Sequence, residues 1–152
     1  MIKIGFTDYF NPVDEFFTDI LSKKYQVVRD DANPDYLFFC DETFGQNNLK
    51  YDETKVKKIF YTGENRRPWN YRAHHAITFD HMDGLHYYRM PLYVLEEWIL
   101  TQRQGKPSIN VGLPVPEKTD FCAFVASNGG CHERNDIFDK LSKYKQVNSG
   151  GA

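Results

Sequence analysis

Cysteine is scarce in this chain. Cys40, Cys122 and Cys131 are an odd number among 152 residues and show no CxxC spacing, which argues against both a disulfide framework and a thiolate zinc site. Cys40 and Cys122 lie in apolar, strand-like runs, so buried reduced thiols in a reducing, cytoplasmic compartment are expected. An excess of one charge is also missing. With 19 Lys and Arg against 21 Asp and Glu the formal net charge is −2, which offers no general field for nucleic acid or an anionic membrane. No apolar run reaches the roughly 18 residues needed to span a bilayer, and the opening MIKIGFTDYF lacks the apolar core of a signal peptide. A soluble protein with no nucleic-acid or membrane partner is the expectation. No internal repeat, low-complexity tract or phosphate loop after the first strand appears, and the last absence discourages a flavodoxin-like nucleotide or response-regulator domain.

What is present alternates between strand and helix patterns. IKIGF at 2–6 is a short strand. PVDEFFTDILSKKY at 12–25 places Val13, Phe16, Phe17, Ile20 and Leu21 at helical spacing, with Asn11 as the expected cap before Pro12. YQVVR and DYLFFC follow as strands, the second apolar enough for burial on both faces. VKKIFYT is a fourth strand and HHAITFD a fifth; HYYRMPLY then leads into the helix LYVLEEWILTQRQ, whose Leu92, Leu95, Trp98 and Ile99 form one stripe. This order predicts an α/β fold with a Rossmann-like parallel sheet over residues 1–103. Residues 104–118 read as a Pro/Gly-rich linker. Residues 119–152 read as the β-α-β start of a second lobe that is opened and not completed, with Ile137, Phe138 and Leu141 on one helix face.

IFYTGENRR at 59–67 holds the most informative local chemistry. A strand that stops at glycine with a carboxylate directly after it fits an ordinary turn with a solvated Glu64, either alone or paired with Arg66 or Arg67. It fits equally the rim of an active site, since α/β proteins gather chemistry outside the carboxyl ends of parallel strands. In a closing cleft that excludes water the Glu64 carboxyl would rise toward neutrality, as a general base requires. His74, His75, His81 and His86 with Asp80 and Asp83 match no closed zinc pattern, so no metal site is expected. Trp69 and the tyrosines could stack on a sugar ring, although core or surface placement is the ordinary role of such residues.

Four blocks in order, KIFYTGENRRP, HHAITFD, YYRMPLY and FCAFVASN followed by RNDIFDKLSKYKQVNSGG, resemble the α-1,3/4-fucosyltransferases of glycosyltransferase family 10 over residues 57–151. Residues 1–50 fit only in their β-α-β pattern. The resemblance implies a GT-B architecture of two Rossmann-like lobes, the first engaging a glycan acceptor and the second a nucleotide sugar. It implies inverting transfer of L-fucose from GDP-fucose to an N-acetylglucosamine- or glucose-containing glycan, with GDP-fucose as donor substrate and no cofactor. On the matching positions, Glu64 is the catalytic base, Asn65 and Arg66 are acceptor-binding, and Arg134, near the start of a helix after SNGGCHE, contacts the donor diphosphate. An exposed helix start would otherwise make Arg134 a solvated charge.

The chain departs from the family pattern at its end. The later segment carrying Tyr, Glu and Lys for the GDP-sugar has no counterpart, and Asn148 stands where an aspartate is common. The expectation is therefore a fucosyltransferase-type chain inactive by itself, or alternatively a carbohydrate-binding or protein-interaction module without transfer. The edge and apolar helix face of the second lobe, with Phe124, Ile137, Phe138 and Leu141, predict a homodimer or a complementing donor lobe as partner.

Overall fold

The short apolar runs become six parallel strands. The computed structural model describes residues 1–82, 84, 86–106, 114, 117–126 and 129–150. The chain divides into two compact units, Met1–Val111 and Gly112–Ala152; the division falls within the linker placed at 104–118, most of which lies outside the described residues. In the first unit β1 (Ile2–Thr7), β2 (Val27–Arg29), β3 (Tyr36–Phe39), β4 (Lys57–Tyr61), β5 (His75–Thr78) and β6 (Tyr87–Arg89) form one sheet in the order β2-β1-β3-β4-β5-β6. Every pairing is parallel. β3 is buried on both faces through Leu37, Phe38 and Phe39, as its continuous apolar run requires.

The two faces are covered differently. On one, α1 (Val13–Ser22) and α2 (Tyr93–Trp98) pack a core of Phe6, Phe16, Phe17, Phe38, Tyr61 and Leu95. Phe17 stacks on Phe38 with centroids 4.7 Å apart, and the Trp98 indole sits edge-on to Phe16 while its N–H donates to Asp19 at 2.8 Å. On the other face Phe39, Phe60 and Ala76 are capped by Tyr71 and Ala73. The β3–β4 and β4–β5 crossovers are 3₁₀ turns at Glu42–Phe44, Asn47–Lys50 and Pro68–Asn70, not α-helices. Residues 41–50 are rich in Asp, Asn, Gln and Gly, whose side chains compete with a helical backbone.

Four expectations need correction. Asn11 does not cap α1: Pro12 occupies the N-cap position with no side-chain cap, and the chain enters through a turn in which Val13 N–H donates to the Phe10 carbonyl at 3.0 Å. The Asn11–Pro12 peptide is cis. Tyr87–Arg89 is a sixth strand, where the sequence pattern showed only a lead into α2. The α2 helix continues as one π-helical turn, Ile99–Arg103. Ile20, at the end of its predicted stripe, is 40% exposed, because α1 covers the sheet only through Val13, Phe16, Phe17 and Leu21.

In the second unit β7 (Ala123–Val125) and β8 (Asn148–Gly150) pair in parallel around α3 (His132–Tyr144). Phe124 meets Phe138 at 4.9 Å. Phe138 and Leu141 are half-buried, but Ile137 is 57% exposed and so leaves the predicted shared face.

Candidate functional site

The buried end of β4 fixes the start of the loop beyond it. Thr62 continues the pairing by donating its amide to the Ile77 carbonyl at 3.1 Å, and its Oγ1 accepts the Glu64 amide at 3.0 Å. Between them Gly63 is packed so closely that a Cβ there would lie 2.7 Å from Leu92 Cδ1. The Gly of the TGEN block is thus a matter of space. Gly63→Ala is expected to cost about 1 kcal/mol, at the low end for overpacking because Leu92 is half-exposed and can rotate; the denaturant midpoint measures it, and an unchanged midpoint would show that the contact is slack.

After Gly63 the chain surfaces. Glu64, Asn65 and Arg66 are exposed, and the Arg66 amide closes back on the Glu64 carbonyl at 2.7 Å. Neither neighbouring arginine pairs with Glu64, so of the turn reading the pairing is absent while the solvated placement of the carboxylate holds. Arg66 reaches Glu42 at 3.5 Å, and Arg67 forms an ion pair with Asp80 while lying over the Phe79 ring. Both cations are drawn to carboxylates on other strand ends, leaving the Glu64 side chain toward solvent.

The opposite wall comes from the loop after β3. Asp41 accepts the Thr43 amide at 3.0 Å and caps the first 3₁₀ turn. Deeper, the buried Asp8 carboxylate collects four donors: Oδ1 takes the Asn47 amide and side chain, and Oδ2 the amide and side chain of Asn48. Gly45, with φ +129°, passes so close that a Cβ would lie 2.5 Å from Asp8 Oδ1. The loop is thereby tied to the carboxyl end of β1.

Between these walls lies a cleft of about 500 Å³, lined by Glu42, Gln46, Asn48, Asn65, Arg66 and Tyr71 among others. A neighbouring depression of about 400 Å³ shares Asn65 and Arg66 with it and is also lined by Glu64. Glu42 spans the two walls, accepting the Tyr71 hydroxyl at 2.6 Å while paired with Arg66. The Tyr71 bond, its own backbone amide and the Arg66 charge hold the Glu42 carboxyl below its usual range. Burial, reinforced by Glu42, pushes the Tyr71 phenol up. Tyr71 also stacks on Phe60 at 4.0 Å, so this wall rests on the core. Amides, guanidinium and carboxylate around a partly apolar floor suit a polyhydroxylated ligand.

The structure brings Glu64, Asn65 and Arg66 together on one loop. Arg134 lies in the first turn of α3, in the second unit, where the Asn135 side chain ties the helix to the Gly129 carbonyl at 2.8 Å. Ser127 and Asn128 of the preceding loop lie outside the described residues. Sequence reasoning missed Glu42, Tyr71 and Asp8. The signal for Glu42 was an acid after a buried strand, the same arrangement as at Glu64, in the stretch CDETFGQNN.

The histidines stay at strand ends. His74 Nδ1 accepts the Lys58 amide at 3.1 Å, and the His75 and His86 rings lie 5.2 Å apart. Burial, then the charges of His86, His74 and Lys57, pull the His75 imidazole below its usual value. Among the described residues no three His, Cys, Asp or Glu side chains gather to hold a metal, and no helix is long and apolar enough to cross a membrane. All three cysteines are free; Cys40 is buried and its thiol pushed up to about 12 by burial, whereas Cys122 and Cys131 are partly exposed.

The first unit, a parallel sheet whose strand-end loops set a carboxylate beside a polar cleft, is a Rossmann-like lobe, and it shares its fold with solved fucosyltransferases of the GT-B type. One α1,3-fucosyltransferase crystal structure superposes with a TM-score of 0.68 at 24% identity, covering 99% of this chain and 54% of that one. Another, of an α1,3-fucosyltransferase with GDP-fucose, gives 0.65 at 25% identity, covering 99% and 52%. Residues 2–96 match the α-(1,3)-fucosyltransferase FucT N-terminal domain, and the chain belongs to that family. The α-(1,3)-fucosyltransferase FucT of Helicobacter pylori is 31% identical over an alignment covering 88% of this chain and 34% of the relative. The chain thus spans about a third of that relative's length and about half that of the solved structures.

Proposed function

We propose that this chain supplies the acceptor side of an inverting fucosyltransferase that transfers L-fucose from GDP-fucose to an N-acetylglucosamine- or glucose-containing glycan, on the 3- or 4-hydroxyl. The observation that carries this is the delivery of Glu64, without an arginine partner, to the rim of a polar cleft inside the family-matched segment. In this reading the acceptor hydroxyl gives its proton to the Glu64 carboxylate as its oxygen attacks C1 of fucose. The C1–O bond to the diphosphate breaks on the opposite face, and GDP departs with that electron pair. Asn65 and Arg66 hydrogen-bond the acceptor across the cleft, and Arg134 with the amides opening α3 offsets the diphosphate charge. The activity needs a donor pocket larger than one strand pair and one helix can enclose, so the 152-residue chain alone is a binder without turnover.

Titrating an N-acetylglucosamine-terminated oligosaccharide into the chain, followed by amide chemical shifts, is expected to move resonances in 41–50 and 64–72 and leave α3 unmoved. GDP-fucose added with that glycan is expected to yield no fucosylated product above a Glu64→Ala control, because donor binding energy has to be assembled before transfer. Product above that control would overturn the inactivity of the isolated chain. Absence of any glycan-dependent shift in the cleft would overturn the acceptor assignment.

A further inference from the structure

The ends of β4 and β5 carry the same device. Thr62 Oγ1 accepts the Glu64 amide at 3.0 Å, and Thr78 Oγ1 accepts the Asp80 amide at 3.3 Å; both threonines are buried. Thr-x-acid therefore sets a carboxylate two residues beyond a buried threonine at the ends of two neighbouring strands. The two acids have opposite surroundings. Glu64 is exposed, whereas the Asp80 side chain is 11% exposed and pairs through Oδ1 with the Arg67 guanidinium. Asp80 Oδ2 is buried without a hydrogen-bond partner among the described residues, so the Arg67 charge carries the compensation of this carboxylate.

The pair has a fixed side and a dependent side. The turn bearing Asp80 is held by the sheet: Arg89 Nε donates to the Phe79 carbonyl at 3.1 Å, and the Met90 amide to the Thr78 carbonyl at 2.7 Å. Arg67 belongs to no strand. It ends the exposed stretch 64–66, just before the buried Pro68. That stretch runs from Thr62 and Gly63 at one end to the Arg67–Asp80 pair at the other, with only the exposed Arg66–Glu42 pair between them, and the Asp80 side is the shielded one.

We infer that Asp80 is a positioning residue for Glu64, clamping through Arg67 the far end of the loop that presents the Glu64 carboxylate; its catalytic meaning rests on Glu64 being the base. Asp80→Asn removes the charge that holds the Arg67 guanidinium, so the loop keeps its Thr62–Gly63 end and only the exposed Arg66–Glu42 pair and the turn at Pro68 beyond it, while the sheet stays paired.

Amide hydrogen exchange on the 152-residue chain tests this. In Asp80→Asn the Glu64 and Arg66 amides are expected to exchange on the order of tenfold faster, with Phe38 and Phe60 unchanged. Arg67→Gln should reproduce the acceleration, the double variant should add nothing further, and Asp80→Glu should restore part of the protection. Unchanged exchange at 64 and 66, or additive effects in the double variant, would overturn the clamp; if Asp80→Asn fails to fold, Arg67→Gln decides. The readout does not depend on catalysis. Normal turnover of Glu64→Gln in a full-length enzyme removes the base, and with it the clamp's catalytic meaning. Unchanged exchange beside a slow Glu64→Gln removes the clamp alone.

Discussion

In a full-length fucosyltransferase assembled from this chain and the remainder of a relative, Glu64→Gln is expected to lower turnover by about 10²- to 10⁴-fold, the usual effect of removing a general base. Glutamine keeps the shape and hydrogen-bonding reach of the side chain but cannot accept a proton. The loop itself should survive, because its shape comes from the Thr62 and Gly63 contacts and the Arg67–Asp80 pair, none of which involves the Glu64 carboxylate. Donor affinity, set elsewhere, should be nearly unchanged. The measurement is turnover at saturating donor and acceptor, with the donor dissociation constant determined separately. Near-normal turnover removes the base assignment, and weaker donor binding at unchanged turnover moves Glu64 to a positioning role.

Asp8→Ala is expected to destabilise the first unit by on the order of 3 kcal/mol or more, since two backbone amides and two side-chain amides lose one buried acceptor, at about 1 to 3 kcal/mol for each group left unsatisfied. Asp8 also has φ +50°, a region that aspartate tolerates better than alanine. The denaturant midpoint at unchanged slope measures the loss; a shift worth less than about 1 kcal/mol would mean that water replaces the carboxylate without penalty. Acid should have a specific signature. Burial pushes the Asp8 carboxyl up, but the Asn48 and Asn47 donors outweigh it and hold the group below its ordinary 3.8. A folded-state value below the unfolded one gives stability that is present above 3.8 and is lost as the pH falls through the lower, folded value. Comparison with Asp8→Asn isolates this group from the other depressed carboxylates. The stability gap between the two proteins should narrow as pH drops below that point, and a constant gap would contradict the assignment.

Much of this arrangement was legible because burial and periodicity leave a strong imprint. Leu37, Phe38 and Phe39 form a short continuous apolar run between turn-forming residues, which reads as a strand buried on both faces, and Phe16, Phe17 and Val13 mark one side of α1. The sixth strand was not legible, because Tyr87–Arg89 is three exposed residues at a sheet edge, held by backbone pairing to β5 that leaves no trace in side-chain pattern. The position of Glu64 past β4 was visible, but its partners were not. Sequence proximity pointed to Arg66 and Arg67, yet Glu42 and Asp80 capture them from loops 24 and 13 residues away. The Asp8 knot was equally hidden, since its donors lie 39 and 40 residues further along the chain.

The thin covering of one sheet face has an evolutionary side. Because 3₁₀ turns rather than helices cross there, the cleft lining hangs on a few anchors, Asp8, Thr62, Gly63 and the Arg67–Asp80 pair. Gln46, Leu49, Asn70 and Arg72 line the same cleft from exposed or half-exposed positions. Substitutions at such sites usually change stability by only about 0.5 kcal/mol in either direction. Substitutions that alter what the cleft accepts, a glycan in the proposed function, can therefore accumulate there almost unseen by selection for folding, while the anchors and the aromatic core stay constrained.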